Sequence, residues 1–294
     1  MKRLIYQKAY SKMNENNIGD ESVMSKKLEN KIAIVTAASR GIGLEITHKL
    51  VEEGATVYMA VRDSEKNRKL TEELNAENQQ YQSVFYDAFD YPSYKEAVKN
   101  VVADAGRLDI LVNNFGWTDV KADTTLTDGD PDAFKKIVDV NIMSTYYMSK
   151  YAVQQMKTQK TGGNIVNISS VAGNTPDIAR LAYGVSKAAI NSLTQQTAVE
   201  YARDNIRVNA ILPGLVATDG ALDNMSDTFL DTFLKHVPLN RIAKPRDIAN
   251  AVAFLLSDEA SFITGELIPV AGGFGLPTPI YGDFQGMQHQ SQTK

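Results

Sequence analysis

Lys31-Ile-Ala-Ile-Val-Thr-Ala-Ala-Ser-Arg-Gly-Ile-Gly43 opens as an apolar, β-branched run and breaks into small residues. With apolar side chains on both faces, its first half reads as a buried parallel strand. Leu44-Glu-Ile-Thr-His-Lys-Leu-Val-Glu-Glu-Gly54 then shows helical apolar spacing and a glycine stop. A strand that turns through glycines into a helix offers unpaired backbone N–H groups and the positive end of the helix dipole, a fit for a pyrophosphate. Gly41 and Gly43 would let the backbone approach such phosphates and pack closely on the strand. An ordinary strand-to-helix turn is the plainer alternative.

Outward from this unit the same alternation continues. Apolar runs at 31–36, 55–60, 81–87, 108–113, 163–168, 206–212 and 267–270 are separated by helical segments. That pattern predicts an α/β domain, a single Rossmann-type doubly wound parallel sheet of about seven strands with helices on both faces. The domain is expected over 28–275, without an internal linker or repeat. Residues 1–27 are expected to be a disordered arm or an upstream start, since Met24-Ser-Lys-Lys-Leu resembles a natural beginning. The tail, 276–294, is Pro- and Gln-containing and is expected to be a turn-rich extension that frays or covers a neighbouring subunit's site.

Composition narrows the function. Thirty-one Lys and Arg against 35 Asp and Glu give a net charge of −4, which provides no basic field for nucleic acid. No apolar run is long enough to span a membrane, so a cytoplasmic protein is expected. With no cysteine, disulfides and thiolate catalysis are excluded, and the three histidines, His48, His236 and His289, lack ligand spacing, so no metal is expected.

Roughly twenty residues past the glycine turn a carboxylate would bind the ribose 2′-hydroxyl of NAD. Here Val61 stands at that place, Arg62 follows, and Arg40 lies inside the turn. Guanidiniums without a carboxylate favour a 2′-phosphate and hence NADP. Asp63 speaks against this reading, and solvated surface cations are the alternative.

Tyr183 and Lys187 lie four residues apart in a helical stretch, Leu181-Ala-Tyr-Gly-Val-Ser-Lys187, and so project from one face. A cation beside a phenol is expected to lower its pKa and make it a general acid/base near neutral pH.

Thr36-Ala-Ala-Ser-Arg-Gly-Ile-Gly43, Asn113-Asn-Phe-Gly116, Asn141, Ile168-Ser-Ser170, Tyr183-x-x-x-Lys187 and Pro213-Gly214 together resemble the short-chain dehydrogenase/reductase family in order and spacing. The resemblance implies Tyr183 as the proton-transfer residue, Lys187 as its electrostatic partner and a ligand of the nicotinamide ribose, and Ser170 bonding the reacting oxygen. It also implies that Asn141 holds a relay water. Ser169 competes with Ser170, but strand alternation points it to the other face. Cofactor contacts are implied at Thr36, Ser39, Arg40, Gly41, Ile42, Gly43, Arg62, Asp87, Ala88, Asn114, Gly116, Tyr183, Lys187, Pro213, Gly214, Val216 and Thr218, with Asn113 structural. Asp87 is alternatively a turn cap. Two positions depart from the family: Ala37 replaces a glycine, harmless only if its φ is negative, and Phe115 replaces an alanine. The phenyl ring either shapes the substrate side or fills a gap in the core.

Segments such as Asp109–Val120 and Thr175–Arg180 are similar to those of bacterial 7α-hydroxysteroid dehydrogenases, which act on bile acids. That likeness implies a steroid substrate; the helix at 133–158 and the one carrying Tyr183 resemble the pair that builds the family's four-subunit assembly, which implies a homotetramer. Leu222, Met225, Phe229, Leu230, Phe233 and Leu234, within 217–240, are expected to give a short lid helix an apolar face, unless they simply pack on the domain. A reductase of another ketone, such as a 3-oxoacyl thioester, and a non-catalytic NADP(H) sensor are the rival readings.

Overall fold

Ile32–Thr36 (β1), Thr56–Val61 (β2), Tyr81–Phe85 (β3), Ile110–Asn113 (β4), Gly163–Ile168 (β5), Ile206–Pro213 (β6) and Leu267–Val270 (β7) pair side by side, all parallel, in the order β3-β2-β1-β4-β5-β6-β7. The computed structural model describes residues 26–176, 178–222, 225–278 and 280–283. The arm expected before residue 26, Asp177 and the end of the tail lie outside the described residues.

Gly41–Glu52 (α1), Glu65–Glu77 (α2), Tyr91–Ala105 (α3), Pro131–Gln159 (α4), Leu181–Tyr201 (α5), Asp219–Leu222 (α6), Asp227–Leu234 (α7) and Pro245–Leu256 (α8) complete the fold. Strand alternation divides the core in two. Ala33 and Val35 of β1 join Ile46 and Leu50 of α1 and Ile248 and Val252 of α8, while Ile34 faces Tyr94 of α3 and Met148 and Met156 of α4. The inner strands are therefore buried on both faces, and the edge strands β3 and β7 are not.

The strand order reverses between β1 and β4, and in such sheets ligands bind in the crevice beyond the strand ends at that switch. β3 stops two residues before the expected 87 because Asp87 turns the chain, its Oδ1 accepting the Phe89 N–H at 3.0 Å. The 217–240 stretch carries α6 and α7, and no side chain of α7 is buried. Phe229 of α7 is exposed, Leu230 and Leu234 are half-buried, and Phe233 stacks on Phe274 at 4.8 Å, so this apolar face is only partly covered.

Candidate active site

The glycine turn sits at the switch point with the geometry an anion needs. Arg40 precedes α1 without a side-chain cap, and the first turn of α1 has no acidic residue, which leaves its N–H groups and dipole unopposed. Gly41 has φ +54°, and a Cβ on it would press on Thr218 Cγ2 at 3.1 Å. A Cβ on Gly43 would meet Ala37 O and Asn114 Nδ2 at 2.5 Å, so only glycine keeps this cradle open. The turn thus fits a dinucleotide pyrophosphate. Ala37 has φ +53°, the left-handed region, so the condition under which alanine would be harmless is not met.

Around the cradle, side chains brace rather than reach out. The buried Thr36 Oγ1 accepts the Asn114 N–H at 2.9 Å and donates to Val112 O at 3.4 Å. Asn114 Nδ2 donates to Thr36 O at 3.1 Å, which ties the end of β4 to the turn. Asn113 donates to Ser149 Oγ at 2.9 Å and Asn167 Oδ1 at 2.8 Å, inside the core. Gly214, Val216 and Thr218 follow β6 and lie beside the turn through the Thr218–Gly41 contact; the Val216 backbone bridges to Ala243, and Pro213 is buried in β6. Ser39 and Ile42 are partly exposed in the turn itself.

Lys187 is buried, its Nζ donating to Ile168 O at 3.0 Å and lying 5.6 Å from the centre of the Tyr183 ring. Burial lowers its pKa to about 8. Tyr183 runs against expectation. Its pKa is raised, because loss of hydration outweighs the Ser170 hydroxyl and the Arg180 charge, which pull it down. The ammonium lies over the ring and gives its hydrogen bond to Ile168 O.

Ser170 sits at the end of β5, where its Oγ accepts the Ala172 N–H at 3.1 Å. Ser169 points away as alternation requires, donating to Lys187 O at 3.1 Å. Asn141 is fully buried: its Oδ1 accepts the Trp117 N–H at 2.8 Å, and its Nδ2 donates to Trp117 O at 2.8 Å and to Ser186 Oγ at 3.0 Å. Only a second lone pair on Oδ1 is left for the relay water, and the amide mainly clamps the loop after β4. Phe115 packs against the core on the α3–α4 side, edge-on to Phe89 at 6.3 Å, which favours gap filling.

Arg62, Asp63, Asn67, Arg68, Ser83 and Phe85 line a cavity of about 360 Å³. Asp63 is paired with Arg68, which removes it as a free carboxylate, while among the described residues Arg40 and Arg62 are exposed without an ion-pair partner. Asp87 spends one oxygen on its turn, and the neighbouring Ala88 is buried, its carbonyl accepting from Tyr94 Oη at 2.7 Å.

Residues 36–275 match the family described as enoyl-(acyl carrier protein) reductase. The 7α-hydroxysteroid dehydrogenases of Clostridium sardiniense and Paraclostridium sordellii are each 48% identical to the chain, over 88% of it and 98% and 97% of theirs. A solved short-chain type dehydrogenase/reductase from Mycobacterium ulcerans superposes with a TM-score of 0.78 at 33% identity, over 84% of this chain and 90% of that one. The chain belongs to the short-chain dehydrogenase/reductase family. It is an oxidoreductase of that family, and membership implies a nicotinamide cofactor.

Within this short-chain dehydrogenase/reductase fold, two residues, Arg68 and Asp123, were missed in the sequence, and Arg180, named there only within a segment, takes a specific place. Arg68 lines the same cavity as Arg62, and Asp123 bonds the first turn of α5. Arg180 lies over the Tyr183 ring, 5.4 Å from its centre. The contacts of Arg68 and Asp123 depend on the fold. Among the described residues no helix is long and apolar enough to cross a membrane, and no cluster of His, Asp and Glu could hold a metal.

Proposed function

We propose that this protein interconverts a 7α-hydroxyl and a 7-oxo group on bile acids or related steroids, using NADP(H). The observation that carries the substrate is the 48% identity, over nearly the whole length, to enzymes named for that reaction. The convergence of Tyr183, Lys187 and Ser170 supports the chemistry, and the incompletely buried apolar residues of α7 suit a flat apolar substrate. Arg40 and Arg62, free of carboxylates while Asp63 is held by Arg68, support the 2′-phosphate. Exposed Tyr146 on α4 and Val185 on α5 support the homotetramer.

When bound, the nicotinamide cofactor supplies or accepts the hydride. The cradle of Gly41 and Gly43 and the α1 N-terminus hold its pyrophosphate. In reduction the Tyr183 phenol gives its proton to the substrate carbonyl oxygen, and in oxidation the phenolate takes it back. Ser170 hydrogen-bonds the same oxygen and holds it in line with Tyr183. Lys187 keeps a positive charge beneath the ring and refills the proton.

Incubation with cholate and either NADP⁺ or NAD⁺, followed at the reduced-nicotinamide absorbance band with identification of the product, tests the reading. A 7-oxo product formed with NADP⁺ is expected. The family description as an acyl carrier protein reductase favours a second reading, reduction of an acyl thioester. Turnover of a 3-oxoacyl or enoyl thioester with NADPH, and none of cholate, would select it.

A further inference from the structure

Asp123 lies in the loop between β4 and α4 and is only 4% exposed. Its Oδ1 accepts the Ala182 N–H at 2.8 Å, and its Oδ2 accepts the Tyr183 N–H at 3.0 Å and the Thr118 hydroxyl at 2.9 Å. Those two N–H groups belong to the first turn of α5, the helix that carries Tyr183 and Lys187. That turn has no local cap: Arg180 makes no side-chain cap bond, and no acidic residue stands in the first turn. A helix start left this way has unpaired donors and a positive dipole end, and a carboxylate placed there answers both. Here the carboxylate comes from 60 residues earlier in the chain. The same loop is held at Trp117 by Asn141.

We propose that Asp123 is a positioning residue for proton transfer: by capping α5 from the loop after β4, it fixes the first turn of that helix and with it Tyr183. The inference rests on Tyr183 as the proton-transfer residue. Both carboxylate oxygens accept, and three donors converge on them, so the site has no place for a donor. Asp123→Asn would set an NH₂ group against one of those donors and is not a silent exchange.

The full-length Asp123→Asn and Asp123→Ala variants are measured beside wild type and Tyr183→Phe, with cholate and NADP⁺, or with the substrate the wild type does turn over. The expected result is a kcat lowered roughly 10- to 100-fold, the cost of misplacing a reacting group by about an ångström. KM for NADP⁺ should change by less than about twofold, since the glycine cradle is untouched. The solvent deuterium isotope effect on kcat should grow, because proton transfer becomes slower. Loss of folded protein alone scales kcat and leaves the isotope effect unchanged, so that outcome overturns the proposal, as does wild-type kcat in Asp123→Asn. Normal turnover by Tyr183→Phe would instead remove the proton-transfer reading on which it stands.

Discussion

The Lys187 ammonium meets the Tyr183 ring on its face, 5.6 Å from the centre, and gives a hydrogen bond to Ile168 O at 3.0 Å rather than to the phenol. The pair therefore titrates in an unusual order: the ammonium is lowered to about 8, and the phenol is raised. Reduction needs the protonated phenol and the charged lysine, so the lysine is lost first as pH rises. The reductive kcat is expected to fall through about pH 8, while the phenol is still protonated. Lys187→Arg, which stays charged, should lower the rate but abolish that limb. A limb unchanged in the arginine variant would assign it to another group.

The same burial costs stability. Lys187 has a folded pKa of about 8 and an unfolded one near 10.5, so the unfolded chain binds the extra proton between those values. Stability then rises with pH across the window from 8 to 10.5, and the penalty is complete below it. Lys187→Met should accordingly be more stable than wild type at pH 7 by up to on the order of 3 kcal/mol, and the gain should shrink above pH 8. Urea unfolding at pH 7 and pH 10 measures it; equal gains at both would remove titration as the cause.

Ala37 holds a φ of +53° where only glycine is at ease. Strain in the left-handed region costs alanine about 1–2 kcal/mol, partly offset by the greater freedom glycine loses on folding. Ala37→Gly should raise the melting temperature by about 2 °C, a net gain of roughly 0.5–1 kcal/mol, without changing kcat. Calorimetry checks the sign directly.

What could be read in the sequence divides along physical lines. β1, β2, β4, β5 and β6 were visible because parallel strands buried on both faces must be continuously apolar, and each lies within two residues of its expected bounds. Tyr183, Lys187 and Ser170 were visible as a spaced set, but the direction of the Tyr183 pKa was not. It depends first on how completely the packed fold strips water from the phenol, and spacing does not encode that. Asp123 was invisible because its contact with α5 exists only after β4 and α5 have been packed together. The bonds by which the Thr36 and Asn114 side chains brace the turn were equally unreadable, since they join β1 to the end of β4.

Cofactor choice is tested at Arg40 and Arg62. A charge-assisted hydrogen bond is worth about 1.5–3 kcal/mol, so losing one corresponds to roughly a 10- to 100-fold change in affinity. Arg62→Ala, and Arg40→Ala likewise, should raise KM for NADP⁺ by a factor in that range and leave KM for NAD⁺ within about twofold. Equal changes for both cofactors would mean that neither guanidinium reads the 2′-phosphate.

Gly116 supplies the last test, because its role follows from space rather than flexibility. A Cβ there would lie 3.1 Å from Lys187 Nζ, with nothing else within 3.5 Å. The end of a lysine chain can give way by a few tenths of an ångström, so Gly116→Ala should fold normally. The ammonium, however, is also bonded to Ile168 O, and any retreat lengthens that bond or moves the charge along the Tyr183 ring. Gly116→Ala is therefore expected to lower kcat about tenfold with an unchanged melting temperature, a loss of geometry and not of structure. Its pH limb near 8 should also move, since the lysine's surroundings have changed. Wild-type kcat with an unmoved limb would show that the space above Lys187 has no bearing on the reaction.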